Sequence, residues 1–162
     1  MYRIGTGFDT HAFSEERKLV LGGVEIQGCP GLVGHSDADV LSHAVADAIL
    51  GAIGEGDLGK HFPPNDPKYK DVSSLAILSQ VARMMADKGY QIENIDCTVV
   101  CEEPRISPHS PAMEVKIADA LGISSDAVNV KGTSTEGLGF TGRKEGIAAM
   151  ASACLSPYSP KP

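Results

Sequence analysis

The residues of this chain best suited to chemistry are histidines, carboxylates and hydroxyls that recur in short runs. His43 and Asp47 lie four residues apart in a stretch of helical periodicity, so both project from one face. An imidazole with a carboxylate one turn away suits a metal ligand and the group that orients it, with Asp47 the candidate partner of His43. A helical His bonded to a nearby Asp has the same spacing. Asp9 and His11, two apart in extended chain, point to the same side and could grip one ion. Asp9, His11 and His43 would together make a donor set suited to Zn²⁺ with a fourth position left open, provided the strand end and the helix lie side by side, which spacing alone does not establish. Thr133-Ser134-Thr135-Glu136 and the glycines that follow offer hydroxyls and a carboxylate for phosphate groups with a cation beside them. A polar strand exit reads the same way, and no Walker-type pattern is present.

The elements that must position these groups follow from periodicity and punctuation. Leu41, Ala44, Val45, Ala48, Ile49 and Ala52 recur at helical spacing and predict a helix with one apolar stripe, capped by Ser36 or Asp37. Residues 2–4 read as a short strand. Residues 18–21 and 24–26 read as a hairpin about Gly22-Gly23, and residues 28–34 as a loop. Three prolines and two glycines make 56–67 a long surface loop. A helix is predicted over 73–88, capped by Ser73 or Ser74 and stopped at Gly89. Residues 92–100 are β-branched and predict a strand. A helix over 111–121, a strand beginning at 128–130 and a final strand over 146–155 complete the reading. At 162 residues the chain is expected to form a single domain over 1–156, with a flexible tail over 157–162.

Composition narrows the function. A formal charge of −7 argues against a nucleic-acid surface, so an anionic phosphate substrate would need metal ions or backbone donors to offset repulsion. No apolar run approaches the roughly 20 residues that span a bilayer. The amino terminus lacks an apolar signal core, and a cytoplasmic protein is expected. The four cysteines, Cys29, Cys97, Cys101 and Cys154, form no C-x-x-C pair and read as free, buried or half-exposed thiols in a reducing compartment.

Four motifs occur in unbroken order: G-x-G-F-D-x-H-x-F from Gly5, H-S-D-x-D-V-x-x-H from His35, G-D-L-G-K-x-F-P from Gly56 and T-S-T-E-x-L-G-F-T-G-R from Thr133. Jointly they resemble the 2-C-methyl-D-erythritol 2,4-cyclodiphosphate synthases of non-mevalonate isoprenoid biosynthesis, over nearly the whole chain. That resemblance implies an α/β (α+β) fold, a small mixed sheet packed on helices. It also implies a homotrimer with the sheets facing its axis and an active site at each subunit boundary. The implied substrate is 4-diphosphocytidyl-2-C-methyl-D-erythritol 2-phosphate. Its 2-phosphate attacks the β-phosphorus, giving an eight-membered cyclodiphosphate and releasing CMP.

By the same resemblance, Asp9, His11 and His43 would hold Zn²⁺, and Glu136 a second divalent cation, Mg²⁺ or Mn²⁺. His35 and Ser134 would stabilise the transition state, and His35 and Ser36, with Asp9, Thr10 and His11, would contact substrate. The methylerythritol side would be lined by Asp57, Leu58, Gly59, Phe62, Pro63, Pro64, Asn65 and Asp66. The cytidine and its diphosphate would be surrounded by Cys101, Glu102, Glu103, Pro104, Arg105, Ile106 and Ser107, with Thr133, Ser134, Thr135 and Glu136. Phe140 and Arg143 would lie near the trimer axis, where an isoprenoid diphosphate can sit. Ser134 replaces a frequent Thr and Arg105 a frequent Lys, which keeps hydroxyl and charge but changes donor geometry. Pro64-Asn65 is less acidic than in many members. Two other readings share some of these residues: a zinc phosphohydrolase that activates water, and a non-enzymatic binder of isoprenoid diphosphates.

Overall fold

Alternation of small and polar residues at the start of the chain builds its longest strand. The structure, a computed structural model, describes residues 1–159. Strand β1 runs Arg3–Leu21, far beyond the short strand expected over 2–4. It extends because Arg3 to Ala12 pair with the last strand, in register from Arg3↔Leu155 to Ala12↔Gly146. From Phe13 on the chain pairs instead with β2 (Val24–Leu32), folded back across the Gly22-Gly23 turn, with an irregularity between Ser14 and Lys18. The loop expected over 28–34 is therefore strand as far as Leu32.

With β3 (Tyr90–Val100), β4 (Val128–Thr133) and β5 (Gly146–Pro157), these strands form a five-stranded sheet of order β2-β1-β5-β3-β4. Only β3 and β4 are parallel, joined by a crossover that carries helix α4 (Ser110–Leu121). The mixed sheet packed on helices agrees with expectation. Strand β5 continues past residue 155: the Ser156 hydroxyl bonds Glu93, and the Tyr158 amide donates to the Gly89 carbonyl at 2.7 Å. Residues 160–162 of the expected tail lie outside the described residues.

Helix α1 (Val40–Ile53) lies directly on β1 and β5. Gly5 and Gly7 make this possible, since a β-carbon at Gly5 would stand 2.5 Å from the Ala52 amide nitrogen. Helix α3 (Ser74–Asp87) packs on the far side of α1. Ala46, Leu50 and Ile53 are consequently buried as well, and α1 has no polar face where a single stripe was expected. The cap of α1 is Asp39, neither Ser36 nor Asp37. Its buried carboxylate accepts from the Ser42 amide and hydroxyl and from the amides of Gly22 and Gly23, pinning the hairpin turn to the helix start. Ser73 precedes α3 without a side-chain cap bond; Asp37 instead accepts from the Ser74 amide at 2.9 Å. The loop expected over 56–67 contains a one-turn helix, α2 (Leu58–His61), because Asp57 accepts from the Lys60 amide. A short helical turn at Pro67–Tyr69 follows.

Candidate metal centre

Residues 5, 7, 9 and 11 share one face of β1, so the strand that presents two glycines to α1 next presents Asp9 and His11. His43, in the first turns of α1, meets them. Asp9 Oδ2 lies 3.0 Å from His11 Nε2 and 3.0 Å from His43 Nδ1, and the two nitrogens are 3.2 Å apart. A tetrahedral zinc ion with oxygen and nitrogen ligands needs donor separations of about 3.3 Å, so the triangle fits with little adjustment. The donor set is the only one of its kind among the described residues.

Each histidine has its other nitrogen engaged. His11 Nδ1 donates to the Val33 carbonyl at 2.5 Å, which leaves the Nε2 lone pair facing the cluster. His43 Nε2 meets the hydroxyls of Ser36 and Ser74 at 3.1 and 3.0 Å. Burial pushes the Asp9 carboxyl up, but with protons on the facing nitrogens the hydrogen bonds and charge of His11 and His43 outweigh it and hold the group far below the usual range. Burial likewise pulls His11 down, while Asp9 and the Val33 carbonyl more than offset it and raise its pKa.

Asp47 does not serve His43. Its carboxylate accepts from the Leu58 amide at 2.7 Å and so holds the entry to α2. Burial, with Asp9 and Asp57 near, pushes its carboxyl up against the pull of that amide.

The cluster floors a cleft of about 350 Å³ that His35, Ser36, Asp57, Leu58, Gly59, Phe62 and Pro64 line, with Tyr69 and Ile77 beside them. His35 donates from Nε2 to the Asp66 carbonyl at 3.0 Å. Pro63, Asn65 and Asp66 do not line it, and the Asp66 carboxylate accepts from the Lys68 amide instead. Sequence reasoning passed over Arg17, whose guanidinium bonds the carbonyls of both Gly34 and Ser36 and thereby clamps the chain on either side of His35. No motif marks it, because it falls in the irregular part of β1.

A second cleft, of about 340 Å³, is lined by Cys101, Glu102, Pro104, Arg105, Ile106, Ser107, Thr133 and Ser134. Its floor is close-packed: a β-carbon at Gly132 would lie 2.7 Å from Ile106 Cβ. Glu102 turns inward. Its Oε1 accepts from the Thr135 amide and hydroxyl at 3.0 and 3.3 Å and from the Gly137 amide at 3.3 Å. Residues 134–137 are thereby pinned, with Glu136 at φ +53° and its carboxylate accepting from the Ser134 hydroxyl at 3.1 Å. Glu136 is exposed and stands apart from the Asp9 cluster. Glu103 pairs with Lys144 and Arg143 with Glu145. Thr10 faces away from the cluster and lines, with Phe140, a shallow cleft beyond it.

The YgbB family model matches residues 2–156. The chain belongs to that family. Proteins named 2-C-methyl-D-erythritol 2,4-cyclodiphosphate synthase from Halalkalibacterium halodurans and Caldicellulosiruptor bescii are 56% and 58% identical over 151 residues, 93% of this chain and 96% of each relative. The bifunctional IspDF from Campylobacter jejuni superposes with a TM-score of 0.95 at 42% identity, over 98% of this chain and 43% of that one. IspF from Plasmodium falciparum, solved as a CDP complex, superposes with a TM-score of 0.84 at 35% identity, over 98% of this chain and 97% of that one.

Proposed function

We propose that this family member converts 4-diphosphocytidyl-2-C-methyl-D-erythritol 2-phosphate to 2-C-methyl-D-erythritol 2,4-cyclodiphosphate and CMP. The observation that carries the reading is the Asp9–His11–His43 triangle at the floor of a cleft, in a chain whose relatives bear that synthase name. The nucleophile is an oxygen of the substrate's own 2-phosphate. It bonds the β-phosphorus as the bond from that phosphorus to the CMP oxygen breaks, so no protein nucleophile is needed. Zinc on the triangle, with Mg²⁺ or Mn²⁺ at Glu136, would supply Lewis-acid polarisation and charge neutralisation for such a transfer.

The protein's own share is alignment and hydrogen bonding. His35, its Nε2 committed to the Asp66 carbonyl and its neighbours Gly34 and Ser36 held by Arg17, would stand beside the phosphates. The exposed Arg105 guanidinium would offer donors to the diphosphate, as would the Ser134 hydroxyl once it turns away from Glu136. Asp57 and the backbone of Leu58 and Gly59 would hold the methylerythritol hydroxyls.

His35 and Ser134 line different clefts of one chain. We therefore infer an oligomer in which the metal cleft of one subunit faces the nucleotide cleft of the next, and take it to be the homotrimer that the family resemblance implies. The uncovered sheet face supports this: Ile4, Phe8 and Met150 are 74%, 56% and 53% exposed, and Phe8 and Met150 are paired neighbours in the ladder. Phe140 and Arg143 would lie toward the axis, where an isoprenoid diphosphate would have to draw Arg143 away from Glu145. Four free thiols support a reducing, cytoplasmic setting.

Phosphorus NMR of the purified protein with the substrate, Mg²⁺ and Zn²⁺ tests the reading. Cyclic diphosphate resonances that grow with CMP support it. Inorganic phosphate or an open-chain diphosphate as product identifies a hydrolase instead.

A further inference from the structure

His43 can offer Nδ1 to a metal only if its proton sits on Nε2, and the groups around Nε2 decide that. Serine hydroxyls donate or accept, so Ser36 and Ser74 by themselves leave the imidazole free to take either tautomer. Asp37 removes the freedom. One of its carboxylate oxygens accepts a hydrogen bond from the Ser74 hydroxyl. An ionised carboxylate has no proton to return. The Ser74 oxygen must then face Nε2 as an acceptor, Nε2 must carry hydrogen, and Nδ1 is left with its lone pair toward Asp9 and His11. For His11 a backbone carbonyl does the same in one step. We propose that Asp37 and Ser74 form a two-residue relay that fixes the metal-ligating tautomer of His43 and thereby sets the zinc affinity of the site.

The relay is separable from the capping of α3. The Ser74 amide donates to the other oxygen of Asp37, and that bond survives loss of the hydroxyl. Ser36, 3.1 Å from Nε2, already accepts from the Ala38 amide and remains as a weaker acceptor. Removing the relay should therefore weaken the site and not abolish it.

The inference rests on the reading that Asp9, His11 and His43 hold a divalent metal, and the test distinguishes the two. The full chain is stripped of metal and titrated with Zn²⁺ against a chromophoric competitor. The same is done for Ser74→Ala, Asp37→Asn, the double variant that combines them, His43→Ala and Ser79→Ala. Ser79 is the control: it lies on α3 and bonds the Leu75 and Ala120 carbonyls, away from the cluster. Outer hydrogen-bond partners of ligating histidines are worth about ten- to a hundredfold in affinity. Ser74→Ala and Asp37→Asn should each lose about tenfold or more, the double variant little beyond the worse single, and Ser79→Ala nothing. The visible spectrum of the Co²⁺ form should shift in the two relay variants alone. Unchanged zinc affinity in Ser74→Ala and Asp37→Asn, with binding lost in His43→Ala, overturns the relay. Binding that survives His43→Ala overturns the metal reading and the relay with it. Should Asp37→Asn fold poorly, Ser74→Ala, which keeps the capping bond, decides.

Discussion

Gly7 on β1 and Ala44 on α1 are in backbone contact. A β-carbon at residue 7 would intrude on the Ala44 carbonyl and lie 2.8 Å from the Ala48 amide nitrogen. Ala44 follows His43, and Gly7 is two residues before Asp9 on the same strand face. The distance between helix and strand is thus set by the absence of side chains at Gly5 and Gly7, and the donor triangle depends on that distance.

Gly7→Ala should cost about 3 kcal/mol of stability, at the upper end for overpacking because the clash is with backbone. Zinc affinity should fall although all three donors remain. Urea unfolding and a zinc titration check both; unchanged values would show that α1 can rise from the sheet without consequence.

Asp9→Ala and His43→Ala should each lower turnover by several orders of magnitude and leave substoichiometric zinc, with the same oligomer in solution. Metal analysis beside phosphorus NMR rates decides this. A near-normal rate in either variant would remove the zinc assignment.

Glu102 is expected to act through the loop it holds and not through substrate. The Thr135 and Gly137 amides it receives keep its carboxyl below the usual range, so the attachment is present near neutrality and lost as pH falls through that lowered value. Glu102→Ala should raise KM for the cytidine substrate and the Mg²⁺ or Mn²⁺ concentration for half-maximal rate. Glu102→Gln, which keeps an acceptor oxygen, should do so less. Equal effects from both variants would mean that the negative charge itself is what matters.

Burial pushes the Cys97 thiol up to about 12, and burial with Cys29 and Glu102 near pushes Cys101 up to about 11. Both should resist iodoacetamide at pH 8 and react in guanidinium. Because the folded chain keeps these protons while the unfolded chain releases them above the ordinary thiol value, stability should fall as pH rises beyond that value. Mass spectrometry of alkylated peptides reads the first effect, and unfolding midpoints against pH the second.

The sequence by itself determined the donors and most of the elements around them. Residue type and strand period mark Asp9 with His11, and helix period marks His43 with Asp47, but spacing does not place the two pairs together; the four motifs joined them by resemblance. The helices about Leu41, Leu78 and Ile117 were legible because apolar spacing is a local property. Tertiary structure decided what the sequence leaves local rules unable to choose. Local rules offered Ser36 or Asp37 as the cap of α1; Asp39 serves instead because the Gly22-Gly23 amides of the β1–β2 hairpin converge on it. Asp47 is one turn from His43, yet the Leu58 amide claims it. Ser74 and Asp37, 37 residues apart, meet over His43 Nε2 only because α3 packs on α1. Hydrogen bonds across such separations depend on packing, and packing is a property of the whole chain.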